Sequence, residues 1–329
     1  MKTWILMVTL LVTTLENAPA MAETIWYPLP AEAYQFGNRY PAAQKLLFAF
    51  DYGHALVYER LLLRGNDIPD LKKFEKQILD EIITILKNPP SVKADEADIA
   101  PSYAYTFPLT LNLFDWSHLL HQFILDVLSA PGERSAKIKT TLKTRVNELF
   151  EQYKANTAVA ITDVCKTMLF MDGQRISKDG QRLLQENELE AGAHFFSKTF
   201  RQKFPSFNLL IWSYHWFQIK LYEVLMNGSQ AERDQGVTET VKMFWKLISN
   251  LPDSAEFDMM PETAKEAPTF SMEFPKIPSA FDNNHMMHDV VSDILTSEWA
   301  INKRRVGFGV ARMAQNPNAF RSHHCMKMP

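Results

Sequence analysis

The chain has 329 residues, of which 46% are hydrophobic and 22% charged, with only 11 glycines. That is enough apolar material for one large core or two ordinary ones, and it excludes disordered, collagen-like and disulfide-knit architectures. A formal charge of −3, from 35 basic and 38 acidic residues, leaves no excess to neutralise phosphates, so no nucleic-acid partner is expected.

The first 22 residues read as a secretory signal. Lys2 supplies the positive start, Trp4 to Val12 the short apolar stretch, and Ala20-Met21-Ala22 a cleavage site. The expected product is exported, periplasmic in a Gram-negative host and otherwise secreted. No stable membrane insertion is expected after cleavage, because no later segment reaches 18 uninterrupted apolar residues. Cys165 and Cys325 are too few for a disulfide framework or a four-thiolate zinc site, and whether they pair stays open.

Beyond the signal, residues 23–302 read as a single all-α domain, a bundle of about eight to ten helices. Lys72 to Lys87 puts Phe74, Ile78, Ile82, Ile83 and Leu86 on one stripe. Lys137 to Tyr153, Gln181 to Phe204 and Gln230 to Leu247 behave similarly. Pro69 suits a first helical turn, and Pro131-Gly132 a break. Residues 251–280 carry five prolines and read as a long connection anchored by Phe257, Phe270 and Phe274. Residues 303–329 read as an extended tail.

The histidines follow a frame. Phe114-Asp115-Trp116-Ser117-His118-Leu119-Leu120-His121 runs on to Asp126-Val127-Leu128. Phe281-Asp282-Asn283-Asn284-His285-Met286-Met287-His288 runs on to Asp293-Ile294-Leu295. Both fit F-D-x-x-H-x-x-H-x4-D-[VI]-L. A third copy, Phe50-Asp51-Tyr52-Gly53-His54, keeps the first half only. A fourth, Ile211 to Leu225, offers His215, Gln218 and Glu223. At about 100° per residue, Asp115 and His118 lie roughly 60° apart on adjacent turns, and Asp126 returns to within about 20° of Asp115. Four such helices around an interior site would bring His54, His118, His215 and His285 together.

Carboxylates and imidazoles facing inward from several helices are how bundles build metal centres. The candidate ligands are Asp51, His54, Asp115, His118, His121, Asp126, His215, Glu223, Asp282, His285, His288 and Asp293. Such donors, without thiolates, suit iron first, with zinc or manganese as alternatives, and their number suits more than one ion. The arrangement is similar in kind to di-metal carboxylate bundles of the ferritin-like class. It lacks their paired E-x-x-H signature, and Asp and His replace Glu. The plainer readings are helix N-caps for Asp51, Asp115 and Asp282, or a metal-free Asp–His network. Tyr52, Tyr58, Tyr214 and Tyr222 fall on or near the same helices, as packing or redox neighbours. Weaker candidates are Glu186, Glu190 and His194, and a soft-donor tail of His323, His324, Cys325, Met326 and Met328.

Three functions are compatible with this pattern. The first is an exported non-haem metalloprotein performing redox or oxygen chemistry on a small-molecule ligand. The second is a multi-zinc phosphoester hydrolase, and the third a non-catalytic metal-binding or structural bundle. No G-x-S-x-G, H-E-x-x-H or phosphate-cradling glycine loop is present.

Overall fold

The computed structural model describes residues 34–64, 68–157, 198–249 and 263–296, apart from the side chains of 282, 283, 285–290, 293 and 294. The expected signal, both cysteines, Glu186, Glu190, His194, Phe257 and the tail from 303 lie outside the described residues.

Thirteen helices and no strand occur among the described residues. They are α1 (Gln35–Arg39), α2 (Pro41–Arg64), α3 (Leu71–Lys87), α4 (Glu96–Ile99), α5 (Pro101–Thr106), α6 (Pro108–Leu128) and α7 (Ala136–Thr157). The second half holds α8 (Lys198–Lys203), α9 (Pro205–Leu225), α10 (Gln230–Ile248), α11 (Thr263–Glu266), α12 (Pro268–Glu273) and α13 (Lys276–Thr296). The fold is all-α, as expected. The count exceeds eight to ten because six of these helices are short pieces of four to six residues.

Proline explains the short pieces. Tyr40, Ala100, Phe107, Phe204, Ala267 and Phe274 each precede a proline, with φ from −125° to −136° and ψ from 53° to 65°. The proline ring disfavours the helical conformation one residue upstream, so each helix must stop there. The proline then starts or adjoins the next helix at little cost, since its missing N–H would be unpaired anyway. Every junction residue still donates its own N–H four residues back, closing the preceding turn. A chain of short helix, junction and long apolar helix results, four times over. Thus much of the stretch read as a proline-rich connection is α11, α12 and the start of α13. Pro69 lies just before the N-cap Asp70 rather than inside the first turn of α3.

The long helices α2, α6, α9 and α13 build the interior, while amphipathic α3, α7 and α10 pack against α2, α6 and α9. On α3, Glu75, Ile78, Ile82 and Leu86 are buried while its lysines, Asp80 and Glu81 face water. The closest approach tells on Gly236 of α10, where an added Cβ would sit 2.7 Å from Val224 Cβ on α9. Gly236→Ala should therefore destabilise by about 1–3 kcal/mol despite alanine's better helix propensity. Urea unfolding that shows G236A as stable as the parent would contradict this packing.

Candidate functional site

The proline junctions give the four repeats a common origin. Counting from Tyr40, Phe107, Phe204 and Phe274, position eleven is Asp51, His118, His215 and His285, and position fourteen is His54, His121, Gln218 and His288. Position nineteen is Glu59, Asp126, Glu223 and Asp293. The first copy is thus displaced by three residues from the frame read off Phe50-Asp51. Its acidic end is Glu59, and Asp51 stands where the others carry histidine.

Asp51 is the centre of a buried cluster. Lys93 Nζ lies 2.6 Å from its Oδ2, with the two side chains only 6% and 9% exposed. Its Oδ1 accepts the Tyr214 hydroxyl at 3.0 Å, and Tyr214 in turn accepts the Gln218 amide at 2.9 Å. His118 Nε2 is 3.7 Å from Asp51 Oδ1, and its Nδ1 lies 2.5 Å from Glu96 Oε1 in a charge contact. Four charges alternate in sign: Lys93, Asp51, His118, Glu96. Neither Lys93 nor Glu96 was foreseen. Both sit in the connection from α3 to α5, which has no counterpart in the periodic helices.

Electrostatics assign the proton. Burial works against charge on His118, but Asp51 and Glu96 outweigh it and hold the imidazole above its ordinary pKa. Burial likewise pushes the Asp51 carboxyl up, and His118, Lys93 and Tyr214 together bring it below the usual carboxylate value. The two carboxylates thus favour the protonated form of His118.

The other described histidines are neutral. Burial pushes His54 well below its usual value, and His118 and His215 add to the effect. His54 and His118 have ring centroids 6.5 Å apart, and Phe50 touches both His54 and His215. Burial brings His215 down to about 4. Its Nδ1 donates to Ile211 O at 2.9 Å, which leaves Nε2 as the ring's acceptor. His121, also driven well down by burial, bonds the Tyr222 hydroxyl and stacks on Phe281 at 3.9 Å. His54, His118 and His215 thus share one interior. Asp115, one turn before His118, is buried and close enough to Tyr103, with Glu96, to raise that phenol's pKa beyond what burial does. Asp51 and Asp115 lie within helices, so neither is an N-cap.

The three described carboxylates at position nineteen, Glu59, Asp126 and Glu223, have a different task. A junction Tyr, Phe or Ala cannot cap the helix that follows, so its first N–H groups need an outside acceptor. Glu59 accepts Ser102 N and Tyr103 N of α5 at 3.2 and 2.8 Å. Asp126 accepts Phe36 N of α1 at 3.0 Å, and Glu223 accepts Thr269 N and Phe270 N of α12 at 2.9 and 3.2 Å. The first two repeats therefore cap each other. Glu75 does the same for Phe207 N of α9. Asp126 and Glu223, candidate ligands by sequence, are engaged at these helix ends.

Asp126 yields a pH prediction. Burial raises its carboxyl to about 6, although the Phe36 N–H and Gln122 amide oppose this. A carboxyl raised on folding costs stability as pH climbs from the unfolded value through about 6, by roughly 2–3 kcal/mol at most. Asparagine keeps the acceptor without the charge. Asp126→Asn should be neutral or stabilising at pH 7.5, with its advantage gone near pH 4. Urea titrations at both values check this, and a loss beyond about 1 kcal/mol at pH 7.5 would refute it.

Among the described residues, no group of three or more His, Cys, Asp or Glu is placed to hold a metal ion. Asp282, His285, His288 and Asp293 have side chains outside the described ones, but their backbone is in α13. Asn284 donates to Ser117 on α6, and Tyr58 on α2 contacts Ser292, so positions 285 and 288 lie between two pinned points. Ser117 meets Asn284 while His121 stacks on Phe281, so α13 runs antiparallel to α6 and brings the backbone of 285 close to the level of His118, with 288 about one turn further along. Also among the described residues, no helix is long and apolar enough to cross a membrane. Compared with protein families, curated proteins and solved structures, the chain matches none.

Proposed function

We propose that this protein is a non-catalytic helical bundle whose interior centre is a stored proton, held on His118 between Asp51 and Glu96. The observation that carries the reading is the alternating series Lys93, Asp51, His118, Glu96, in which each buried charge already faces one of opposite sign. Such a network answers its own charge and needs no ion to do so. It joins the first two repeats, with Tyr214 from the third reaching Asp51. Its role is to lock the repeats in register, and its strength depends on pH. The export expected from the first 22 residues belongs to this proposal, as an exported bundle meets changing acidity.

A metalloprotein is the second reading. What favours it is the backbone register of α13, pinned to α6 through Asn284 and Ser117 and to α2 through Tyr58 and Ser292, while neutral His54 and His215 share the interior of His118. Iron would come first, with zinc or manganese next, and redox or oxygen chemistry would follow. Asp51, Lys93, Glu96 and Tyr214 are buried and the His118 side chain is only 9% exposed, which suits a small oxidant better than the phosphoester of a multi-zinc hydrolase.

The two readings part on metal. Protein purified from its native compartment is analysed for metal, then stripped with chelator and melted at about pH 7.5 and 5.5, on either side of the histidine range. The proton reading expects no bound ion and no change in melting on stripping. A loaded-minus-stripped gap at the higher pH that shrinks at the lower one would replace it with the metal reading, because ligand imidazoles must be deprotonated.

A further inference from the structure

Ten residues beyond His118 along α6, about 15 Å by helical rise, lies a cavity of different character. Leu128, Leu142, Leu225, Met226 and Phe274 line about 160 Å³ between α6, α7, α9 and α12. Leu128, Leu225 and Phe274 are buried, so these walls are fixed by the fold. Three cations, Arg134, Lys139 and Lys143, line it as well.

Their partners are unequal. Lys143 pairs with Glu273 at 2.9 Å. Arg134 spends donors on the carbonyls of Leu128 and Ala130, neither of which carries charge. Burial, with Arg233 nearby, draws its guanidinium down to about 10, as for a cation short of an anion. Lys139 makes no ion pair among the described residues. Glu223, which faces the lining residue Thr269, is held by Thr269 and Phe270. The cavity therefore combines apolar walls with two positive charges that no carboxylate of the lining answers.

We propose that this cavity binds a small organic anion with a ring-sized apolar body, an aryl carboxylate. An apolar cavity of about 150 Å³ accommodates benzene, so a benzoate ring fills the space between the leucines and Phe274. Its carboxylate meets Lys139 and Arg134, the few placed polar groups that orient a ligand in an apolar pocket. Inorganic phosphate would leave the walls unused, and a neutral arene would leave the cations unanswered. The proposal is independent of whether the bundle's centre holds a proton or a metal.

The test is calorimetric titration of the full chain with benzoate, benzamide, acetate and inorganic phosphate. Benzoate should bind saturably, benzamide at least tenfold more weakly, and acetate and phosphate not measurably. Lys139→Gln, at an exposed position, should weaken benzoate about fivefold and leave the fold intact. Leu142→Trp should fill the space and abolish binding. Should L142W fail to fold, the Met226 methyl resonance of the parent protein decides instead, since benzoate must shift it. An unmoved Met226 signal, equal binding of benzamide or of phosphate, or an undiminished K139Q would each overturn the proposal.

Discussion

Lys93→Met is expected to be among the most damaging single changes in the protein, costing about 3–5 kcal/mol. Methionine keeps the length and apolar stem but removes the ammonium 2.6 Å from Asp51. The carboxylate is then buried beside one fewer positive charge, and it cannot be rehydrated without opening α2. Breaking one side of a buried pair costs far more than the pair contributes, because the surviving charge keeps its desolvation penalty. The double variant Lys93→Met with Asp51→Asn should therefore be more stable than K93M alone, with a coupling of about 1–3 kcal/mol. Urea unfolding of the four members of this cycle measures it. Additive losses, or a K93M cost under about 1 kcal/mol, would mean that Lys93 and Asp51 do not form a working pair.

His118→Gln should also cost about 3 kcal/mol or more near pH 6, and noticeably less near pH 9. The folded-state pKa of His118 is raised, so its contribution is fully present below the unfolded value of ~6.5. That contribution fades as pH rises through the folded value, where the parent protein loses the same proton. Glutamine has no such proton to lose, so parent and variant converge in alkali. Asp51 works in the other direction. Its depressed carboxyl stabilises the fold above the unfolded carboxylate value and gives this up in acid. A H118Q penalty that grows between pH 6 and pH 9 would show His118 to be neutral in the folded protein.

The parts of the molecule legible in the sequence are those that repeat with helical period. The stripe of Ile78, Ile82 and Leu86 and the spacing of His118 to His121 follow from one turn geometry, and both lie on helices. In the first copy Phe50-Asp51 imitates Phe114-Asp115 and hides a register that lies three residues away. Six residue–proline pairs were present as a better origin, since a proline constrains the residue before it whatever the side chains do. A frame that ignores Pro41, Pro101, Pro108 and Pro205 leaves Glu59 out and gives Asp126 and Glu223 to the centre. Lys93 and Glu96 carried no signal at all. They come from an irregular connection whose path is set by packing on α2 and α6, so their meeting with Asp51 and His118 is a tertiary fact.

The central claim is that a proton, rather than a metal ion, sits on His118 in the folded state at neutral pH. Ring-nitrogen NMR of labelled protein reads this directly, with the His118 signal assigned by its disappearance in H118Q. The account predicts imidazolium signals at pH 7 and a titration midpoint above the ordinary ~6.5, unchanged by prior chelation. A neutral ring at pH 7, or signals that change when metal is stripped, would contradict it.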